Sequence, residues 1–203
     1  MSVEFLATAF IVCLAPGIGV IFTLSTTLGR GLQAGFWAIV GCTLATVLHL
    51  CVALAGLAAV LQTSALLFSA IKYAGVAYLL YMAWGTLKGT GALEVTPDTT
   101  PLSPRQLVRR GLVLNILNPK LPMFFAAFLP QFIPAQAAHP TLLLIELGLG
   151  FVAMTFAVFA FYALAAGWLR LRVVESDRAM TWMRRVFAAS FAALGAKLAL
   201  ERA

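Results

Sequence analysis

Long apolar runs follow one another along the whole chain, separated by short polar connections. Six such runs are recognisable, over residues 3–28, 36–61, 65–87, 111–133, 141–169 and 186–200. About 20 consecutive apolar residues are enough for a helix that crosses the hydrocarbon core of a bilayer. The runs are continuous rather than alternating, which favours helices over the strands of a membrane barrel. The sequence therefore predicts an all-α, polytopic membrane protein with six transmembrane helices.

Composition and charge fit this prediction. Of the 203 residues, 62% are hydrophobic and 10% are charged, whereas a soluble domain of this size needs a largely polar surface. The net charge of +7 is also found in nucleic-acid-binding proteins, but here ten of the 14 Lys and Arg residues lie in the connections after the first, third and fifth runs. The connections after the second and fourth runs contain none. Because basic loops stay in the cytoplasm, we predict both termini outside and no nucleic-acid partner.

Polar residues and prolines interrupt the fourth run. Asn115, Asn118 and Lys120 lie within it, and Pro119 separates the last two. A proline has no N–H for the carbonyl four residues back, so Pro119 is expected to free the carbonyl of Asn115. Backbone groups freed at membrane depth must face protein or a water-filled cavity, and a cation there is costly and marks function. This pattern predicts a solute site.

The first run has a matching interruption at Pro16 and Gly17, where Pro16 is expected to free the carbonyl of Val12. Pro16 and Pro119 are 103 residues apart, and each interrupts the first span of a three-span half. Halves with an odd number of spans run antiparallel across the membrane, and paired interruptions in such halves point to a transporter site at their interface. We therefore predict two inverted three-helix repeats with broken helices 1 and 4. The first repeat, the cytoplasmic linker and the second repeat are predicted over residues 1–88, 89–110 and 111–203.

A larger set of residues stands in a characteristic order and spacing. It comprises Pro16-Gly17, Gly31, Gly35, Gly41, His49, Gly75, Tyr78, Leu79, Arg110-Gly111, Asn115, Asn118-Pro119-Lys120, Phe125 and Pro130-Gln131-Phe132. With these residues in this order, the chain resembles the LysE/RhtB family of small bacterial amino-acid exporters over essentially its whole length. The resemblance implies export of amino acids or close derivatives across the bacterial cytoplasmic (inner) membrane, by proton antiport and alternating access. The family usually has Pro-Gly-Pro in its first motif, whereas Ile18 follows Gly17 here, and many relatives have an acid near Thr46, so the proton carrier stays open.

An amino acid is a zwitterion and needs two kinds of partner. Its carboxylate needs a cation or a helix N-terminus, for which Lys120 and the amides after the break in the fourth run are candidates. Its ammonium needs carbonyls or an acid, for which the freed carbonyls of Val12 and Asn115, with Asn118, are candidates. The alternative is that Lys120 is structural, bonds carbonyls at the break and never touches substrate. The predicted substrate-binding residues are Pro16, Gly17, Asn115, Asn118, Pro119 and Lys120.

Three further ionisable residues are candidates for proton coupling or for a gate. Glu146 and Lys72 lie near the outer ends of their runs and could pair as a gate, or Glu146 could carry protons. In the alternative interpretation, Lys72 extends to lipid headgroups and Glu146 lies in the wet interface. His49 is either a proton relay or a histidine hydrogen-bonded within the bundle.

Other function classes find little support in the sequence. Cys13, Cys42 and Cys51 have no metal-binding spacing and are predicted to be small buried hydrophobes, so no metal and no other cofactor is expected. An electron carrier with one cysteine in each half is excluded, because the second half contains none. The sequence has no nucleotide loop, nucleophile elbow or zinc motif, so no enzyme is predicted. A passive small-solute channel or a non-transporting membrane assembly subunit remains the alternative, and association into a homo-oligomer stays open.

Overall fold

The structure, a computed structural model, describes residues 1–15, 17–60, 65–88, 97–118, 120–134, 136–166 and 177–200. This part of the chain forms eight α-helices and one 3₁₀ turn. They are α1 (Val3–Leu14), α2 (Ile18–Arg30), α3 (Leu32–Val60), α4 (Ala65–Lys88), α5 (Pro104–Ile116), α6 (Lys120–Ala127), the 3₁₀ turn (Leu129–Phe132), α7 (Pro140–Leu164) and α8 (Asp177–Leu200). No strand occurs in the described residues, which confirms the all-α prediction.

Helices α3 and α7 are each long and apolar enough to cross a membrane, through the 25-residue segments Leu32–Gly56 and Pro140–Leu164. The pair α1 and α2 passes the same test as one bent span, and so do α5 and α6 with the 3₁₀ turn, which gives up to four spans. Helices α4 and α8, of 24 residues each, pack together where the third and sixth spans are predicted. A helical membrane protein is confirmed, and the full set of six spans stays a prediction.

Both predicted interruptions coincide with sharp bends between helices. The chain turns by 57° between α1 and α2 and by 58° between α5 and α6. Pro16 and Pro119 themselves lie outside the described residues. Beside the first break, Gly17 is fully extended, with φ −124° and ψ −174°, so the backbone leaves the helix there. The predicted broken helices 1 and 4 thus correspond to two helix pairs.

The helix of the fourth predicted span begins before Gly111, where that span is predicted to start. Helix α5 begins at Pro104, inside the predicted linker, because Ser103 and Gln106 form a capping box. The Ser103 hydroxyl accepts a hydrogen bond from the Gln106 amide, and the Gln106 side chain accepts one from the Ser103 amide. Proline at the first helical position costs no hydrogen bond. The last helix, α8, likewise begins at Asp177, inside the predicted basic loop 170–185.

Close backbone contact fixes α5 against α3. A Cβ atom on Gly111 would lie 2.8 Å from the carbonyl oxygen of Ala38, and one on Gly41 would collide with the carbonyl oxygen of Val108. A side chain at either glycine would force the helices apart, as in the small-residue packing typical of membrane helices. This contact places Asn115, one turn beyond Gly111, directly against α3.

The helix contacts around α3 and α7 are compatible with the predicted symmetry. Helix α3 packs on α5 and α6, and α7 packs on α1 and α2. Helices α3 and α7 also pack on each other, as α4 and α8 do. Exchanging the two halves converts each of these contacts into another member of the set or into itself, whereas the contacts of α2 with α3 and of α4 with α6 have no counterpart of similar extent among the described residues. The inverted relation between the halves stays a prediction.

Candidate functional site

The two helix breaks meet at the side chain of Lys120. This residue begins α6 and is buried, with 8% of its surface exposed. Its Nζ donates hydrogen bonds to the carbonyl oxygens of Val12 at 2.9 Å and of Ala15 at 3.0 Å. Because residue 16 is a proline, the Val12 carbonyl has no helical donor and is free for this contact. The ammonium therefore lies at the C-terminus of α1, where the helix dipole is negative.

Two asparagines join the start of α6 to α5 and α3. The Asn118 Oδ1 accepts from the backbone N–H of Lys120 at 3.1 Å, and the Asn118 Nδ2 donates to the Asn115 Oδ1 at 3.1 Å. The Asn115 Nδ2 donates to the carbonyl oxygen of Cys42 at 2.9 Å. Asn115 is 1% exposed, so this chain of hydrogen bonds is sheltered from water. It caps the first amide of α6 and holds Lys120 in place.

The carbonyl of Asn115, expected to be free, already has partners. It accepts from the amide of Asn118 at 3.2 Å, and the His49 Nε2 lies 3.4 Å away. His49 therefore touches the same network as Lys120, through the backbone of α5. Thr46, where many relatives are expected to have an acid, is fully buried and donates to the carbonyl of Cys42 at 3.2 Å.

The N-terminus of α2 forms the opposite side of the site. A Cβ atom on Gly17 would lie 3.6 Å from both the Asn118 Nδ2 and the Lys120 Nζ, and one on Gly19 would lie 2.8 Å from the Asn115 Oδ1. Glycine at both positions therefore lets the backbone approach the polar side chains closely. Gly17 is the N-cap of α2 and makes no side-chain cap hydrogen bond, so no side chain at the cap competes for the first amides of this helix.

A small cavity lies between these groups. It is lined by residues of both breaks, including Gly17, Gly19, Asn115, Asn118 and Lys120. The space open to the centre of a water molecule is only about 10 Å³, room for about one water. An amino acid does not fit, so the structure is closed around the site.

Helix α7 contributes two polar side chains that the sequence interpretation missed. The Tyr162 hydroxyl donates to the carbonyl oxygen of Leu14 at 2.7 Å, at the same helix end that Lys120 binds. The Thr155 hydroxyl lies 3.4 Å from the Cys13 sulfur and lines the cavity. Their spacing of seven residues places Thr155 and Tyr162 on one face of α7. This spacing is the sequence signal for a polar face on that helix. Cys13 and Cys42 are buried in the hydrophobic core, as predicted, whereas Cys51 is exposed, so the prediction is wrong for that residue.

Of the two candidate gate residues, Glu146 lies apart from this network. Half of the Glu146 side chain is exposed, 53%, and its carboxylate pairs with the N-terminal ammonium of Met1 at 3.4 Å. Lys72 belongs to α4, but its side chain lies outside what the structure describes. No cluster of three metal-binding side chains occurs among the described residues.

Comparisons with known proteins agree with the resemblance seen in the sequence. The homoserine/homoserine lactone efflux protein of Salmonella typhimurium is 29% identical over 198 residues, covering 98% of this chain and 95% of that protein. The leucine efflux protein of the same organism is 32% identical over 136 residues, 66% of this chain and 64% of that protein. An uncharacterized membrane protein of Vibrio cholerae is 32% identical over 199 residues, 98% and 96% of the two chains. No solved structure matches this chain.

The family model for LysE type translocators matches residues 10–202. That match covers nearly the whole chain and includes both helix breaks. The protein belongs to the LysE type translocator family.

Proposed function

We propose that this protein exports amino acids or close derivatives from the bacterial cytoplasm, by proton antiport and alternating access at the two broken helices. One observation carries the proposal: the ammonium of Lys120 is buried between the breaks and is held by the carbonyls of Val12 and Ala15. The efflux activities in the names of two relatives support the substrate class. In the same proposal, both termini lie outside the inner membrane.

The broken first span offers a zwitterion both of the partners that it needs. The last carbonyls of α1 favour an ammonium, and the first amides of α2 favour a carboxylate, because the two helix ends carry opposite partial charges. Gly17 and Gly19 allow a small solute to approach those amides closely. The amides at the start of α6 are less available, because Asn118 already accepts from the first of them.

In the empty protein Lys120 takes the place of the substrate's ammonium. Its Nζ occupies the carbonyls of Val12 and Ala15, which would otherwise be buried acceptors without a donor. When substrate enters, its ammonium replaces the lysine at these carbonyls, and Lys120 turns to the carboxylate. Each buried charge then keeps a partner, so the exchange avoids the cost of an unpaired ion.

Substrate entry requires the two halves to separate. The closed cavity holds about one water, and the hydrogen bonds of Lys120 cross from the second broken span to the first. Replacing these bonds by contacts to substrate would release the link between the spans, as alternating access needs. His49, beside the carbonyl of Asn115, is the candidate proton relay nearest to the site.

Efflux from proteoliposomes preloaded with a mixture of amino acids tests this function. We expect at least one amino acid to leave faster with the wild type, and both an uncoupler and Lys120→Met to abolish the difference. Lys88→Met is the matched control, because Lys88 is exposed at the end of α4 and should leave efflux unchanged. An efflux rate that the uncoupler leaves unchanged would indicate a passive channel. If no amino acid leaves the proteoliposomes, the proposed substrate class is refuted.

A further inference from the structure

A second and much larger cavity lies where the end of α2 meets the segment that precedes α5. Its volume is about 460 Å³, within the range of about 300–1,000 Å³ typical of small-molecule sites. The lining includes Arg30, Gln33, Ala34, Trp37, Leu102 and Ser103. It thus combines one cation, an indole, aliphatic surface and hydroxyl groups. This composition suits a small amphipathic solute.

The walls of this cavity are held together. The amide of Asp98 donates to the carbonyl of Ser25 at 3.2 Å, and a Cβ atom on Gly29 would collide with the backbone of Asp98. Gly31, with a φ of +83°, turns the chain from α2 into α3, and its amide donates to the carbonyl of Thr27. The segment after residue 97 therefore lies directly on the end of α2.

Arg30 brings an unused hydrogen-bond donor to the cavity. Its side chain is only 9% exposed. The Nη2 pairs with the Asp98 Oδ2 at 2.7 Å, and the Nε donates to the carbonyl of Thr100 at 2.6 Å. The Nη1 and the Nη2 are both buried and make no regular hydrogen bond among the described residues, so the contact of the Nη2 with Asp98 is an ion pair only. Buried donors without an acceptor are costly, so the guanidinium of Arg30, which lines the cavity, has capacity for a further acceptor that a ligand would supply.

The charge around the cavity is not balanced. The carboxylate of Asp98 is shared between Arg30 and Arg110, which lies 3.2 Å away. Among the described residues, Arg30 and Arg110 thus share this single carboxylate. Although burial raises the pKa of Asp98, hydrogen bonds from Thr100 and the charge of Arg30 outweigh it, so the pKa lies below its ordinary value. The cluster therefore keeps an excess of positive charge at neutral pH.

We propose that this cavity binds a small carboxylate with a short apolar side chain. The carboxylate pairs with the guanidinium of Arg30, and the apolar part packs against Trp37 and Leu102. The identity of the ligand rests on the proposed function: it is the amino acid that awaits export. The cavity lies on the face of the basic loops, predicted to be cytoplasmic, and gives substrate a place to bind while the central cavity is closed.

Binding to the purified full-length protein in lipid nanodiscs tests this site. The probes are 4-methylpentanoate, which has the carboxylate and side chain of leucine without the ammonium, and 4-methylpentanamide, which lacks the charge. All titrations are repeated in Lys120→Met, so that binding at the central site is separated from binding here. Efflux measured on the same proteins reports the proposed function independently.

Two substitutions act on the cavity in different ways. Ala34→Leu fills it without changing charge, and Arg30→Gln removes the cation. The matched control is Ala55→Leu, the same substitution at an exposed position of the same helix. Thermal unfolding of each variant shows whether it is folded, and Ala34→Leu keeps the test decisive if loss of the Arg30 ion pair unfolds the protein.

We expect the carboxylate to bind at least tenfold more tightly than the amide, in the wild type and equally in Lys120→Met. Ala34→Leu and Arg30→Gln should each weaken carboxylate binding at least tenfold, and Ala55→Leu should not. Equal binding of amide and carboxylate, or binding that Ala34→Leu leaves unchanged, overturns the proposal. Loss of binding in Lys120→Met also overturns it, because the ligand would then lie in the central site. Displacement by phosphatidylglycerol but not by leucine would assign the cavity to lipid instead.

Discussion

Replacing Lys120 with Met should shift the preference of the central site away from amino acids and toward amines. The substitution keeps the length of the side chain but removes the ammonium that lies 2.9 Å from the carbonyl of Val12 and 3.0 Å from that of Ala15. An alkylammonium without a carboxylate, 3-methylbutylamine, then finds these carbonyls free and meets no buried cation. Leucine, which has the same side chain, finds the same carbonyls but loses the partner of its carboxylate.

The size of this shift follows from the ratio of the affinities for leucine and for 3-methylbutylamine. In the wild type both ligands must displace Lys120 from the carbonyls, so the cost of displacement cancels in the ratio. What remains is the pair between the carboxylate and the ammonium, about 2–5 kcal/mol for a buried charge pair that loses one partner. The preference for leucine over the amine should therefore fall by about 30-fold or more in Lys120→Met.

Competition binding to purified protein, with leucine and 3-methylbutylamine as competitors, measures this ratio directly. Lys88→Met serves as the control, since it removes an exposed lysine at the end of α4. A ratio that changes less than threefold would mean that Lys120 does not pair with the carboxylate. The alternative, a purely structural lysine that binds carbonyls at the break, would then be correct.

Three further predictions concern stability, measured by thermal unfolding of purified protein. Gly19→Ala places a methyl group 2.8 Å from the Asn115 Oδ1 and should lower the free energy of unfolding by about 1–3 kcal/mol. In the control Gly56→Ala, the added methyl group meets nothing within 4 Å, so this variant should be neutral or stabilising. Equal effects of the two substitutions would contradict the close approach at Gly19. Tyr162→Phe removes the donor to the end of α1 and should cost about 1 kcal/mol; no loss would mean that this bond is not made. Folding lowers the pKa of Asp98 below 3.8, so its ion pairs stabilise the protein fully above that pH and are lost as the pH falls through the lower folded value. The stability difference between wild type and Asp98→Asn should be constant above pH 3.8 and shrink only below it, and a decline that begins near neutral pH would refute this assignment.

The helix breaks could be predicted from sequence because their cause is local. Pro16 and Pro119 remove backbone donors wherever they stand in a helix, and the structure bends at both places. The contact between Asn115 and Asn118 follows in the same way from residues three apart. The sequence also indicated that the carbonyl of Val12 would be free, and one of the two interpretations of Lys120 has it bonding carbonyls at the break, as it does here.

The remaining parts of the site depend on packing between distant helices. Tyr162 reaches the end of α1 because α7 packs on that helix, and no local pattern specifies such a contact. The same reason applies to Arg30, whose single position in a short turn gives no sign of a cavity formed with Leu102 and Ser103. Helix α5 begins before the apolar run does, because the capping box at Ser103 starts the helix within polar sequence.

A buried lysine at the centre of an exporter also determines what does not pass. A fixed positive charge repels a second cation 4 Å away by about 4 kcal/mol at an effective dielectric constant of about 20, close to a thousandfold in occupancy. A zwitterion escapes this penalty, because its carboxylate is attracted while its ammonium replaces Lys120 at the carbonyls of Val12 and Ala15. Sodium and potassium ions bring no carboxylate and so meet only the repulsion. In the proposed mechanism the residue that closes the empty site is therefore also the one that prevents the site from leaking cations when it opens.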